Sequence, residues 1–234
     1  MSNEMMSRQE SLQLELPKSV AVVGCGGVGS WTALFLAMSG VQELWLFDHD
    51  EISESNLNRV LFTKEDVGQR KVAATKELIK KYRPDCDVKA CGKWLQSVVD
   101  AMQLYDRVTV VVAATDSVAS RREIYRWTMI HSYRDIAYFE VGAEGEIGSV
   151  TDEPAEFSTE RETQVGYASV PVWLGPAVSA ALLVTSYVVH GRTQTDGAVV
   201  RMGWDGRKFG FYNSEESRNE QEEQVPAEVE DGIE

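Results

Sequence analysis

The chain has 234 residues, of which 43% are hydrophobic and 26% charged, and its formal net charge at pH 7 is −14. This length and composition predict one large α/β domain with its own core and argue against two independent domains. The acidic balance argues against a protein that binds the phosphates of nucleic acids.

Cysteine usage and hydropathy predict a cytoplasmic protein. The first 16 residues are polar and charged, unlike a signal peptide. Residues 170–189 carry no charge, but Pro171 and Pro176 interrupt them, so we expect a buried helix over 177–189 and no membrane span. The chain has only three cysteines, Cys25, Cys86 and Cys91, and no C-x-x-C motif. This usage favours a reducing compartment and argues against a zinc site.

Hydrophobic periodicity predicts alternating strands and helices up to residue 151. The predicted strands are 19–23, 41–47, 87–90, 107–113, 136–141 and 147–151. The predicted helices are 27–39, 68–82, 94–104 and 117–132, before the later helix over 177–189. This alternation indicates a Rossmann-like, doubly wound and mainly parallel α/β sheet.

The C-terminal third departs from this alternation. Residues 152–164 have no periodicity and predict a loop over the active-site edge, whereas 198–204 and 208–212 predict an antiparallel hairpin added to the sheet. Residues 214–234 hold nine acids and one arginine, a net −8, which leaves −6 for the rest. We therefore expect a single Rossmann-like domain over 1–213 and a disordered acidic tail over 214–234, which is either solubilising or a docking segment for a basic partner.

A glycine-rich turn joins the first predicted strand to the first predicted helix, and its residues are Gly24, Gly26, Gly27, Gly29 and Ser30. Such a turn lets a phosphate approach the backbone and places it at the positive end of the helix dipole. The turn predicts a nucleotide site, although similar turns open many dinucleotide-binding units and some bind nothing.

Residues after the second strand separate two classes of nucleotide-binding protein. Asp48, at the end of that strand, lies where ribose recognition needs an acid, and Asp50 follows it. The segments 56–59, Asn-Leu-Asn-Arg, and 67–71, Val-Gly-Gln-Arg-Lys, then supply cations. A nicotinamide cofactor needs no such cluster, whereas attack on the α-phosphate of ATP needs positive charge around the leaving pyrophosphate, so the pattern favours nucleotidyl transfer.

In these motifs, and in the Thr-Asp at 115–116, the chain resembles the ThiF/MoeB/HesA family of ubiquitin-activating-enzyme-like adenylyltransferases. The resemblance covers residues 7–150 closely and 160–213 loosely. It implies ATP-dependent adenylation of the C-terminal carboxylate of a small carrier or ubiquitin-like protein, with release of pyrophosphate. It also implies Mg²⁺ as a cofactor and a homodimer as the assembly.

The resemblance assigns a role to each motif residue. It implies that Asp48 binds the ribose hydroxyls, that Arg59 and Lys71 bind the triphosphate, and that Asp116 holds the Mg²⁺. It also implies that Arg8 reaches a catalytic site across the dimer interface. The full set of expected nucleotide-binding residues is Gly24, Gly26, Gly27, Gly29, Ser30, Asp48, Asp50, Asn56, Asn58, Arg59, Lys71 and Asp116.

Other interpretations of these residues stay open. Asn56 and Asn58 are also residues that cap turns. The chain has Val60 where the family usually has Gln, and Ser117 where it usually has Asn. These departures leave a non-catalytic ATP-binding relative, or the partner half of a heterodimeric activating enzyme, as the alternative; a nicotinamide-dependent dehydrogenase is a weaker one.

Many relatives carry a cysteine in the loop that crosses the active site, but residues 152–190 contain none. We therefore expect adenylation without a thioester or persulfide step on this chain.

Overall fold

The computed structural model describes residues 6–12, 14–93, 108–131, 135–152, 172–191, 200–204 and 209–213. The predicted helix over 94–104, most of the loop after residue 152 and the acidic tail lie outside these residues.

Eight strands form one mixed sheet in the order β3-β2-β1-β4-β5-β6-β7-β8. The first five strands are parallel, and β6, β7 and β8 are each antiparallel to their neighbours. The strands are β1 (Ser19–Val23), β2 (Glu43–Phe47), β3 (Asp87–Cys91), β4 (Val110–Ala113), β5 (Ala137–Glu144), β6 (Ile147–Thr151), β7 (Val200–Trp204) and β8 (Phe209–Asn213). The predicted doubly wound sheet with a C-terminal antiparallel hairpin is therefore confirmed.

Four α-helices lie in the described ranges: α1 (Gly27–Ser39), α2 (Lys71–Tyr82), α3 (Val118–Ile130) and α4 (Leu174–Val189). Helix α1 ends at Gly40, whose φ of 114° gives the left-handed C-cap that the Ser-Gly pair predicts. Helix α3 begins after Ser117, whose hydroxyl accepts a hydrogen bond from the Ser120 N–H at 3.2 Å. None of the described helices combines the length and apolar character that crossing a bilayer requires.

The core fills both faces of the sheet. Along β1, Val20 and Val22 pack with α1, α2 and α4, whereas Ala21 and Val23 pack with α3 on the opposite face. Strands β1 and β4 are buried along their whole length, which explains their uninterrupted apolar sequences. At the sheet edge, β3 is largely exposed.

Two predicted helix starts are wrong. Helix α4 begins at Leu174 and includes Pro176, because a proline in the first turn removes an N–H that has no helical acceptor. Helix α2 begins at Lys71, three residues late, because Gly68 has a φ of 89° and belongs to the preceding turn.

The N-terminal segment packs against the C-terminal ends of two helices. The Gln9 side chain donates a hydrogen bond to the Ser39 carbonyl of α1 at 2.6 Å. The Glu15 N–H donates to the Val189 carbonyl at the end of α4 at 3.0 Å. This segment, with Arg8 exposed on it, therefore lies at the end of α1 that faces away from the glycine-rich turn.

Candidate nucleotide site

A cavity of about 530 Å³ opens at the carboxyl ends of β1, β2, β4 and β5. Strand order reverses between β1 and β4, and open α/β sheets bind ligands at such a switch point. The cavity is lined by nine of the predicted site residues: Gly24, Gly26, Gly27, Asp48, Asp50, Asn56, Arg59, Lys71 and Asp116. It is not lined by Gly29, Ser30, Asn58 or Arg8.

The glycines of the turn serve two purposes. A Cβ on Gly24 would lie 2.6 Å from the Ala114 carbonyl oxygen, and a Cβ on Gly29 would lie 1.8 Å from the Gly24 oxygen. These two residues therefore let the turn, α1 and the end of β4 approach closely. A Cβ on Gly26 would meet nothing within 4 Å, so the space above it belongs to the cavity and has room for a ligand group.

Asp48 is tied to the glycine-rich turn. One carboxylate oxygen accepts a hydrogen bond from the Cys25 N–H at 2.7 Å, and the other accepts from the Asp50 N–H at 2.8 Å. Burial raises the pKa of this carboxyl, against the opposing charge of Lys71 and the two N–H donors. A carboxylate accepts about four hydrogen bonds, so each oxygen keeps capacity for a hydroxyl donor.

Lys71 and Asp50 form an ion pair inside the cavity. The ammonium lies 2.8 Å from a carboxylate oxygen of Asp50, and Lys71 is only 8% exposed. Partial burial works to raise the pKa of Asp50, but the hydrogen bond and charge of Lys71 outweigh it and lower that pKa. Asp50 therefore balances the charge of Lys71.

Arg59 lies over the turn and is held from several sides. Its guanidinium donates at 2.8 Å to the Ser55 carbonyl and to the Asn58 side-chain oxygen. A Cβ on Gly27 would lie 3.0 Å from the Arg59 side chain, so the arginine stem covers the turn. The Trp31 indole N–H donates to the Arg59 carbonyl at 3.0 Å and fixes its backbone.

The two asparagines have different environments. Asn56 lines the cavity and also caps a short turn, since its side-chain oxygen accepts from the Ser53 N–H at 3.1 Å. Asn58 accepts from Arg59 and donates to the Val172 carbonyl at 3.1 Å. Asn58 therefore orients the arginine and ties it to the segment before α4.

The residues that depart from the family pattern have structural roles. Val60 is 8% exposed and packs in a small apolar cluster with Ile52 and Phe62. Ser117 caps α3 directly after Asp116, and its N–H donates to the Thr115 hydroxyl at 3.3 Å. Both residues therefore support the loops that carry Arg59 and Asp116.

Sequence reasoning missed a buried ion pair beside Asp116. Arg121 in α3 and Glu140 in β5 are 3% and 2% exposed, and their charged groups meet at 2.8 Å. Arg121 lines the cavity, as do Lys93 and His49. The available signal was Glu140 itself, because an acid inside an otherwise apolar central strand needs a buried partner.

The donor set fits Mg²⁺ and a triphosphate. Asp116 brings an exposed carboxylate to the cavity, and magnesium prefers one or two carboxylates together with phosphate oxygens. Donor atoms of Asp48, His49 and Asp50 also lie within 4.8 Å of one another. The carboxylate of Asp48 already accepts hydrogen bonds from the Cys25 and Asp50 N–H groups, and that of Asp50 accepts one from Lys71. Asp116 is therefore the best metal ligand of the three acids.

The remaining predicted residues lie away from the cavity. Ser30 is fully buried in α1, and its hydroxyl has no hydrogen-bond partner among the described residues.

Cys25 and Cys86 are buried, and burial raises the pKa of both thiols, that of Cys86 to about 11. Neither thiol is therefore suited to act as a nucleophile near pH 7.

The fold and the cavity define a Rossmann-like α/β protein that carries Arg59 and Lys71 in the cavity above its glycine-rich turn. Solved structures share this fold. Escherichia coli MccB with ATP superposes with a TM-score of 0.65 at 21% identity, covering 84% of this chain and 63% of that one. PaaA gives a TM-score of 0.63 at 23% identity, covering 84% and 64%.

The family model named ThiF matches residues 3–225, and the chain belongs to the ThiF family. The probable molybdopterin-synthase adenylyltransferase of Porphyra purpurea is 34% identical over 127 residues, which are 52% of this chain and 33% of that protein. The ThiS adenylyltransferase of Escherichia coli is 37% identical over 112 residues, 47% and 43% of the two chains. The chain thus spans less than half the length of these curated relatives.

Proposed function

We propose that this chain is an ATP-dependent adenylyltransferase that activates the C-terminal carboxylate of a small carrier or ubiquitin-like protein. Support comes from the family and from relatives named for the carrier ThiS and for a ubiquitin-like modifier. A non-catalytic relative would share this fold, so the residues of the cavity distinguish the two functions.

One observation carries the proposal. Arg59 and Lys71 line the same cavity as Asp116 and the open space above Gly26. A triphosphate on the turn would lie at the N-terminus of α1 with a cation on either side. A hydride-transfer site needs no pair of cations at this position, because no charge develops on a leaving pyrophosphate there.

The reaction would proceed by positioning and charge neutralisation. A carboxylate oxygen of the carrier attacks the α-phosphorus, the bond from that phosphorus to the pyrophosphate oxygen breaks, and an acyl adenylate and pyrophosphate result. The attacking carboxylate is ionised at pH 7, so no general base is required. Arg59 and Lys71 would stabilise the negative charge that develops on the leaving pyrophosphate.

Asp116 would hold the Mg²⁺, which supplies further charge neutralisation on the phosphates when bound. Asp116 lies in the four-residue loop 114–117 between β4 and α3, at the carboxyl end of the strand. Asp48 would bind the ribose hydroxyls, because each of its carboxylate oxygens accepts one backbone N–H and can accept a further hydrogen bond.

The test is carrier-dependent exchange of labelled pyrophosphate into ATP. We expect Asp116→Ala to lower the exchange rate by about 100-fold or more, because the metal would lose its protein ligand. The matched control is Glu77→Ala, which removes an exposed acid of α2 outside the cavity. Circular dichroism checks that both variants remain folded.

The result would distinguish the competing functions. Exchange that Asp116→Ala leaves unchanged would overturn the assignment. Wild-type binding of ATP without turnover on any carrier would favour the non-catalytic relative, and a fluorescence response to NADH but not to ATP would favour the dehydrogenase.

The assembly and location belong to the same proposal. We expect a homodimer in the cytoplasm, where Cys25, Cys86 and Cys91, all free in the structure, would stay reduced.

A further inference from the structure

Arg121 connects the carboxyl ends of two strands through three hydrogen bonds. Its Nε donates to the Thr115 carbonyl at 2.6 Å, one terminal nitrogen donates to Glu140 at 2.8 Å, and the other donates to the Val141 carbonyl at 3.3 Å. The guanidinium thus joins the loop after β4 to β5 beside it.

The bond to Thr115 fixes the peptide that leads into Asp116. The Thr115 carbonyl and the Asp116 N–H belong to one planar unit, and the described residues contain no cis peptide. Since the carbonyl points at Arg121, the N–H of Asp116 points the opposite way. Rotation of this unit would break the 2.6 Å bond and would change the direction in which the Asp116 side chain leaves the backbone.

Glu140 holds Arg121 in place and is itself held. Its first carboxylate oxygen accepts from Arg121, and its second accepts from the Tyr138 hydroxyl at 3.2 Å. Burial, and then the charge of Glu140, raises the pKa of Tyr138, so the hydroxyl remains a donor. Glu140, Tyr138 and Arg121 therefore form one hydrogen-bonded network, in which each oxygen of Glu140 has its own donor.

Stability alone does not account for this network. Burying both charges carries a desolvation cost that well-packed apolar residues avoid, and replacing such a pair with apolar side chains is often neutral or stabilising. The network provides what an apolar pair cannot, namely a donor for the Thr115 carbonyl.

We propose that Arg121, held by Glu140, is a positioning residue that orients the Thr115–Asp116 peptide so that Asp116 faces the metal of a bound Mg-ATP. This inference rests on the proposed function and extends it, because it assigns part of the Mg²⁺ response of the site to a buried ion pair at the cavity wall.

The test replaces the pair with apolar residues. The double variant Arg121→Met/Glu140→Leu keeps the core filled and removes the tether on Thr115. Arg83→Met/Asp85→Asn is the matched control, because Arg83 is also 3% exposed, pairs with Asp85 at 2.9 Å and donates to the Ala37 carbonyl. Arg83 lies near the C-terminal end of α1, away from the cavity.

Two measurements separate positioning from folding. Hydrogen–deuterium exchange of the nucleotide-free protein should be at least several-fold faster over 114–117 in the first variant and unchanged there in the control. ATP affinity without Mg²⁺ should stay within about twofold of wild type, while the gain in affinity on adding Mg²⁺ should fall by about tenfold, equivalent to ~1.4 kcal/mol.

The single variant Glu140→Gln covers the case in which the double variant does not fold. Its amide oxygen still accepts a hydrogen bond from Arg121, so we expect both effects in the same direction but smaller. A folded variant with wild-type exchange over 114–117 and a wild-type Mg²⁺ gain would overturn the proposal, as would equal loss of ATP affinity with and without Mg²⁺.

Failure of the proposed function has a different signature. If wild type bound no Mg-ATP, adenylation would be wrong and the metal-orienting role would be wrong with it. Hydrogen–deuterium exchange over 114–117 would still show whether Arg121 orders the loop that contains Asp116.

Discussion

Lys71 and Asp50 form an ion pair that compensates a charge inside the cavity. A nearly buried ammonium without a partner would be costly, and the carboxylate 2.8 Å away neutralises it. Asp50 is half-exposed, so it can turn toward solvent at little cost. We therefore interpret Asp50 as a partner of the Lys71 ammonium that a phosphate oxygen would replace in part. The direct contact predicted between Asp50 and the nucleotide stays a prediction.

The cysteines provide a test at the same scale. We expect iodoacetamide at pH 8 to label Cys91, which is partly exposed, well before Cys25 and Cys86 in the native protein. The pKa of about 11 leaves Cys86 roughly one part in a thousand thiolate at pH 8. Labelling of Cys86 should therefore rise as the pH approaches that pKa, and peptide mass spectrometry measures each site.

Denaturant supplies the control for this labelling. In guanidinium chloride all three thiols should react at similar rates, because burial no longer raises any pKa. Native labelling of Cys25 as fast as Cys91 would contradict the prediction and would reopen a thiol step beside the nucleotide.

The turn between β1 and α1 shows how one element combines packing with binding. Gly29 lies against the backbone of Gly24, whereas Gly26 faces open space; its φ of −81° is ordinary, but its ψ of −149° lies outside the regions that residues with a Cβ prefer. The two glycines are three residues apart, yet substitution should affect different properties. The turn therefore allows stability and ligand affinity to be tested separately.

We expect Gly29→Ala to lower the Tm by roughly 3–10 °C, since a forced contact in a packed core costs ~1–3 kcal/mol. Gly26→Ala should lower the Tm less than Gly29→Ala, because alanine meets no clash there and only an unfavourable ψ, and it should weaken ATP binding by about tenfold, because its methyl group occupies the phosphate space. Thermal melts and calorimetric titration with ATP measure the two effects. A Gly26→Ala variant that binds ATP like wild type would show that the phosphates lie elsewhere.

On the scale of the molecule, the site and the N-terminal segment lie at opposite ends of α1. A helix of 13 residues is ~20 Å long. The cavity contacts the N-terminal end of this helix, and Gln9 is bonded to Ser39 at its C-terminal end. Arg8 therefore cannot serve the cavity of its own chain from this position, and its predicted role requires a second copy.

Mixing two inactive variants tests that requirement. We expect Arg8→Ala and Asp116→Ala to be inactive alone but to recover about a quarter of wild-type pyrophosphate exchange after equal mixing and reassociation, because half of the dimers would contain one complete site. The control mixes each variant with itself. Wild-type activity of Arg8→Ala alone, or no recovery in a mixture shown to form dimers, would remove Arg8 from the site.

The sequence predicted most of the fold because its signals are local. The apolar run at 19–23, the glycine-rich turn and Ser-Gly at 39–40 define β1, the start of α1 and its end without reference to other residues. Pro176 misled because a proline that would break a helix interior is accepted in a first turn. Gly68 lies in a turn for which the periodicity of α2 gave no warning.

What the sequence determined by itself was the family, the mainly parallel sheet and the residue types of the nucleotide site, because each depends on short motifs and on their order along the chain. The tertiary structure decided which of those residues meet. It separated Asn58 and Ser30 from the cavity, paired Lys71 with Asp50, and brought Arg121 to Glu140 across 19 residues of chain. Such partnerships depend on strand order and on burial, which makes an isolated charge costly, and neither is written in the spacing of a motif.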